Sequence, residues 1–151
     1  MIKHAKHNHS YEIVDVIRES ILSCTLDHNN DARVIEEWLS NKTEENVSNW
    51  IVNNISFVYL YSGKVVGFIC LSLNGVLLLN YISPSHQKKG FGRELLNYLI
   101  NYCKLNNISH ICLESTLTAL TFYKKNGFKV VNDIAEDGVV VGFDMIFDFY
   151  D

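Results

Sequence analysis

The sequence predicts one α/β domain of the α+β kind, in which helices flank a mixed, mostly antiparallel and twisted sheet. Three observations predict it. Apolar residues recur at helical spacing through the first third of the chain, then give way at Ile55 to β-branched and aromatic runs. Turn dipeptides, Ser62-Gly63 and Asn74-Gly75, separate the strand-like segments that follow. A strand–helix–strand–helix alternation then closes on a last hairpin around Glu136-Asp137-Gly138. The 151 residues suit a single domain over 1–151. The lone proline, Pro84, and the absence of a Ser/Gly-rich stretch leave no linker to divide it.

The elements follow in order. Residues 2–5 form a short first strand. Ser10 caps a helix reaching about Cys24, with Ile13, Val14, Ile17, Ile21 and Cys24 on one face. Residues 25–31, TLDHNND, are polar and read as a loop. Asp31 caps a second helix through Ile35, Trp38 and Leu39. Thr43 caps a third, with Glu44 and Glu45 in the first turn where the helix dipole favours anions. Residues 55–61, 64–73 and 76–82 are strands. The last is apolar almost throughout, as a central strand covered on both faces would be. Leu95, Leu96, Leu99 and Cys103 mark a long helix after Pro84. A strand at 110–114 follows, then a short helix at 119–125 capped by Thr118 and ended by Asn126-Gly127. Residues 128–131 and 139–149 make the final strand pair.

Composition narrows the function classes. About half the residues are hydrophobic, enough for a core without disulfide or metal. Cys24, Cys70, Cys103 and Cys112 share no CxxC spacing and sit in apolar stretches. They read as reduced, buried thiols of a cytoplasmic protein. No segment approaches the ~20 apolar residues of a membrane span. The start, MIKHAKHNHS, lacks the apolar run of a signal peptide. The net charge of −4 gives no general attraction for nucleic acid or anionic membranes, so neither is expected as a partner. His4, His7 and His9 lie close together, but no carboxylate or cysteine completes a ligand set, and no metal is expected.

Chemistry concentrates in Gln87-Lys88-Lys89-Gly90-Phe91-Gly92-Arg93, between a buried strand and an amphipathic helix. A helix N-terminus presents backbone N–H groups without internal partners and a partial positive charge. Glycines let successive N–H groups converge on an anion such as pyrophosphate. Lys88, Lys89 and Arg93 add positive charge. The plain alternative is a tight turn that only needs glycine. GxxxxGK[ST] is absent, and GxGxxG would need glycine where Leu95 stands.

A second segment lies about thirty residues further on, Ala119-Leu-Thr-Phe122-Tyr123-Lys-Lys-Asn-Gly127-Phe128. The two together, in this order and between these elements, resemble the GNAT superfamily of N-acetyltransferases. QKKGFG resembles its coenzyme A pyrophosphate loop and ALTFYKKNGF its A-x-x-F-Y-x-x-x-G-F segment. The resemblance covers residues 76–131, over a third of the chain. It implies a splayed central strand pair, residues 76–82 and 110–114, with the pantetheine arm of acetyl-coenzyme A in the opening. It implies that the amides of Lys88 to Arg93 hold pyrophosphate and that the N–H of Ile82 polarises the thioester carbonyl. Tyr123 matches the general acid that protonates the leaving thiolate. Packing like Phe122 is its plainer alternative. Ser115 and Thr116 fall where relatives place a polar residue near the pantetheine arm.

The attacking amine must lose a proton. Glu114 at its strand end is one candidate base. Asp27 and His28, in the region that covers the acceptor site in this family, are others and candidate substrate contacts. Each also has a structural reading, as a solvated side chain or a turn cap. Asn80 and Tyr81 stand where some relatives carry a glutamate, so a fixed carboxylate there is not expected. The expected reaction is acetyl transfer to a primary amine, of a small molecule or of a protein lysine or N-terminus, with a non-catalytic acyl-coenzyme A sensor as the contrasting class. The edge of the final strands makes a homodimer possible.

Overall fold

Residues 1–149 are described by a computed structural model. Strand β1 (Ile2–His4) leads into α1 (Ser10–Ser23), α2 (Thr25–His28), α3 (Ala32–Leu39) and α4 (Glu44–Asn53). The chain continues through β2 (Ile55–Tyr61), β3 (Lys64–Leu71) and β4 (Leu77–Ile82) to α5 (Phe91–Leu105). It ends with β5 (His110–Thr116), α6 (Leu120–Lys125), β6 (Lys129–Glu136) and β7 (Val139–Asp148).

The strands form two antiparallel sheets, β1-β2-β3-β4 and β5-β7-β6. One parallel bridge, Val76 with Cys112, joins them, and the Cys112 N–H donates to the Gly75 carbonyl at 2.9 Å. Beyond that bridge β4 and β5 part. The fork between them is closed at Val76 and opens toward Ile82 and Thr116.

Two apolar clusters hold the layers. On one face α1 and α4 pack Ile13, Ile17 and Val47 against Val58, Phe68, Cys70 and Leu79. On the other, α5 packs Leu95, Leu96 and Leu99 against Phe57, Ile69, Ile111 and Leu113. The α5 cluster runs from one sheet into the other, so this helix keeps the forked halves together.

The predicted caps of α3 and α4 are present. Asp31 accepts from the Arg33 N–H at 2.9 Å and Thr43 from the Asn46 N–H at 3.1 Å. Several expectations differ in detail. Residues 25–31 contain a helical turn, α2, ended by Asn29 and Asn30 at positive φ, a conformation Asn tolerates. Ser10 does not cap α1; it lies inside the helix and its hydroxyl meets Ser48 Oγ at 2.8 Å. Thr118 does not cap α6, because its hydroxyl is bonded to Asp27. Strand β4 is covered on both faces, Leu77 in the α5 cluster and Leu79 in the α1 cluster, except at one point: Leu71 pairs with Leu77 and Cys70 with Leu79, so Leu78 is an unpaired bulge residue and stays exposed. Cys24 and Cys112 are only half-buried, on the edges of helix and fork. No helix among the described residues is long and apolar enough to cross a membrane.

Candidate active site

The fork gives β4 an edge without a ladder partner. The Ser83 N–H bonds the Val66 carbonyl at 2.8 Å, and the register runs on through Gly67–Ile82 and Ile69–Asn80. Antiparallel residues alternate between positions that exchange hydrogen bonds and positions that do not. Asn80 and Ile82 are therefore the non-bonded positions toward β3, and their amides and carbonyls face the side that β5 has left. The Gln87 side chain already uses one of these groups, donating to the Ile82 carbonyl at 3.0 Å. Gly67 lets this edge sit tightly: a Cβ there would lie 2.6 Å from the Ile82 side chain.

The glycine loop opens α5 beside this edge. Gly90 is the N-cap at φ 86°, a backbone state that glycine adopts without a Cβ penalty. The first α-helical bond runs from the Glu94 N–H to the Gly90 carbonyl at 3.0 Å, so the amides of Phe91, Gly92 and Arg93 have no acceptor within the helix. Lys88, Lys89 and Arg93 are exposed. The Phe91 ring is anchored away from the loop, stacked on Tyr59 at 4.5 Å and close to Tyr61 and His86. The Tyr59 hydroxyl in turn donates to Glu94 at 2.5 Å. Phe91 thus fixes the helix start and leaves only its main chain facing outward.

Tyr123 lies on α6, buried between Phe122 and Phe128. The Asn80 side-chain amide donates to its hydroxyl at 3.0 Å, which brings α6 to the open edge of β4. Burial pushes the Tyr123 phenol up to about 12, against the hydrogen bond from Asn80, which lowers it. Tyr81 is likewise pushed up to about 12, mainly by burial and further by Cys24 and Tyr123. Tyr81 packs with the α1 cluster, whereas Tyr123 belongs to the α5 cluster. Two protonated phenols therefore flank the fork, one from each layer.

On β5 the alternation is equally clear. Ile111, Leu113 and Ser115 are buried toward α5, and Glu114 points to the opposite face, the α1 side. There it lines a groove of about 700 Å³ with Val76, Leu78, Asn132, Asp144 and Ile146. Ser115 donates to the Thr116 carbonyl at 2.8 Å. The Asp27 carboxylate accepts from the Leu117 N–H at 2.8 Å and from the Thr118 hydroxyl, linking α2 to the loop after β5. His28 is buried with both ring nitrogens engaged: Nε2 bonds the Ile21 carbonyl at 2.9 Å and Nδ1 accepts from the Asn30 N–H at 2.9 Å. A ring so occupied has no nitrogen left for an acceptor molecule. The structure gives Asp27 and His28 structural bonds and gathers Ile82, Asn80, Tyr123 and the glycine loop around the fork.

The family model of the acetyltransferase (GNAT) domain matches residues 24–149. The chain belongs to the GNAT acetyltransferase family. As a GNAT protein it is an acyltransferase. Solved structures with the same fold include the N-acetyltransferase PaiA from Thermoplasma acidophilum in complex with coenzyme A. That protein is 24% identical, with a TM-score of 0.84 over 99% of this chain and 98% of that one. The aminoglycoside 6'-acetyltransferase type Ii is 18% identical, with a TM-score of 0.76 over 98% and 96% of the two chains. The ribosomal-protein-alanine N-acetyltransferase from Brucella melitensis is 15% identical, with a TM-score of 0.69 over 99% of both chains. No curated protein sequence matches the chain.

Within this GNAT domain, sequence reasoning missed two contacts. Asn80 and Tyr81 stood out only as the place where a glutamate is lacking. The fork shows that they alternate across the strand, Asn80 toward Tyr123 and Tyr81 toward α1. Strand alternation, applied once the partner face of each residue is known, is the signal that finds them.

Proposed function

We propose that the protein transfers the acetyl group of acetyl-coenzyme A to a primary amine of a small molecule, by direct attack of the amine on the thioester. The observation that carries this reading is the unpaired edge of β4. It places the N–H groups of Asn80 and Ile82 beside the free amides at the start of α5 and beside the Tyr123 hydroxyl.

In this reading the amides of Lys88 to Arg93 bind pyrophosphate, with Gln87 bracing the turn through the Ile82 carbonyl. The Ile82 N–H polarises the thioester carbonyl, and Asn80 offers a second N–H deeper on the same edge. The amine approaches from the α1 side. Glu114 takes its proton through water, since its carboxylate lines the groove on that face. Tyr123 gives its proton to the departing sulfur from the α5 side. Ser115 supports the strand beside the pantetheine arm.

A small acceptor is favoured by the Asp27 link. It ties α2 across to the loop after β5 and so narrows the approach between the layers. The open groove along β5 and β7 favours the second reading, a peptide amine. The four cysteines, none in a disulfide, suit work in the cytoplasm. The exposed outer strand β6 would serve as the pairing edge of a homodimer.

Calorimetric titration with acetyl-coenzyme A, coenzyme A and ATP tests the donor assignment. Tight binding of both coenzymes with weak ATP is expected, followed by thiol release with small amines. Failure of both coenzymes to bind would reduce the glycine loop to a turn and remove the reading. Thiol release with peptides but not with free amines would select the second reading.

A further inference from the structure

We infer that Asn80 is a positioning residue for Tyr123, its side-chain amide donating to the phenol oxygen so that the phenol's own proton is committed to the leaving thiolate. The inference rests on the assignment of Tyr123 as general acid and adds a partner to it. The Asn80 Nδ2 lies 3.0 Å from the Tyr123 hydroxyl, across 43 residues of sequence. A phenol oxygen can accept this bond and still donate its hydrogen elsewhere. The hydrogen bond fixes the rotation of the hydroxyl, because the donor from Asn80 occupies one lone-pair direction. The rings packed against it, Phe122 and Phe128, offer no oxygen or nitrogen acceptor. The O–H is thereby held for an acceptor in the fork.

The chemistry explains why the phenol needs such a partner. When the amine nitrogen bonds the carbonyl carbon, the C–S bond breaks and its electron pair goes to sulfur. The thiolate takes the Tyr123 proton and leaves a phenolate. The protonated nitrogen loses its extra proton through water to Glu114, and water returns one to the phenolate. Burial makes Tyr123 a weaker acid than usual, pushed up to about 12 even with the Asn80 hydrogen bond lowering it, while an ordinary thiol titrates at about 8.5. Transfer to the thiolate is uphill by that gap. A hydrogen bond to the phenolate oxygen narrows it, and Asn80 supplies that bond from the coenzyme-facing strand. Tyr81, the titratable neighbour on the same strand, faces the other layer and works the opposite way, because a second phenolate would repel the first. Among the described residues, Asn80 is the side chain hydrogen-bonded to the Tyr123 oxygen.

The test compares Asn80→Leu, Asn80→Asp and Tyr123→Phe, and each Asn80 variant combined with Tyr123→Phe. Coenzyme titration and thermal melting check that each protein folds. Asn80→Leu should lower kcat roughly tenfold, as loss of one hydrogen bond would, with the KM for acetyl-coenzyme A within about twofold. Asn80→Asp, nearly the same shape, should fall further, because its carboxylate accepts the phenol proton that the thiolate requires. In the Tyr123→Phe background neither substitution should slow the enzyme again, since Asn80 acts through the phenol. Equal slowing in both backgrounds would show an independent role and overturn the inference. If Tyr123→Phe alone leaves kcat unchanged, the general-acid assignment falls and the inference falls with it. A drop for Tyr123→Phe with none for Asn80→Leu and Asn80→Asp overturns the positioning role alone.

Discussion

Asp27→Ala probes how the acceptor side is held. The carboxylate accepts from the Leu117 N–H at 2.8 Å and from the Thr118 hydroxyl, while the Thr118 N–H at 3.4 Å is too long to count for much. A hydrogen bond to a charged group contributes about 1.5–3 kcal/mol. Asp27 is half-buried and Thr118 exposed, so water replaces part of what is lost. About 2 kcal/mol for the pair follows, at the low end of that range. In a domain of 151 residues each kcal/mol moves Tm by about 2–4 °C, giving a fall of about 4–8 °C. The kinetic effect should be one-sided. The KM for the amine should rise as α2 loosens from the loop after β5, while coenzyme affinity stays constant, because the loop of Gln87 to Arg93 is untouched. Differential scanning calorimetry and initial rates at saturating coenzyme measure both. An unchanged Tm would show that the two bonds carry no load. A weakened coenzyme with an unchanged amine KM would place Asp27 on the donor side and refute the reasoning.

Three further outcomes follow from the geometry. Gly90→Ala puts a Cβ on a residue at φ 86° with open space around it, so the cost is conformational, about 1–2 kcal/mol. Tm should drop by about 2–8 °C and coenzyme affinity should fall, with Gly90→Asn milder on both; wild-type values for Ala would mean the loop has another stable shape. Glu114 sits directly opposite Asp144 in the β5–β7 ladder, a like-charge pair, so Glu114→Gln should raise Tm slightly while lowering kcat near neutral pH. A wild-type kcat would leave proton removal to water alone. The phenols of half-buried Tyr81 and buried Tyr123 titrate at about 12 in the fold and at about 10 when unfolded. Between those values the unfolded chain has released protons that the folded one retains, so their stabilising effect is full below about pH 10 and lost as pH rises toward 12. Tm against pH should steepen there and flatten in Tyr81→Phe; an unaltered slope would refute burial as the cause.

How much of this the sequence discloses depends on whether the determining contact is local. Caps are local, and Asp31 and Thr43 are legible two and three residues ahead of the amides they bind. The hairpin dipeptides are legible for the same reason, and so is the glycine loop, because a residue at positive φ opening a helix leaves glycine as its mark. The donor half of the proposed site is therefore readable. The acceptor half is not. The partner of Asp27 lies 90 residues away at Leu117, and His28 is buried by Ile21 and Trp38, which nothing in TLDHNND announces. The polar look of that segment fits either a substrate contact or a set of internal bonds; only the fold decides between them.

The least legible feature is the one on which the site depends. Three successive leucines open β4, and no pattern says which of them leaves the pleat. The bulge falls on Leu78, just past the Val76–Cys112 bridge. A bulge bends its strand and increases local twist, so β4 keeps its ladder to β3 and turns away from β5 at that point. In an unbroken sheet the amides of Asn80 and Ile82 would be bonded to β5. Buried main-chain groups rarely go unpaired, so an edge opened between two strands of one core calls for an extended ligand that can pair with it. The bulge thus accounts at once for the fork, for the open amides, and for the room in which Asn80 reaches Tyr123.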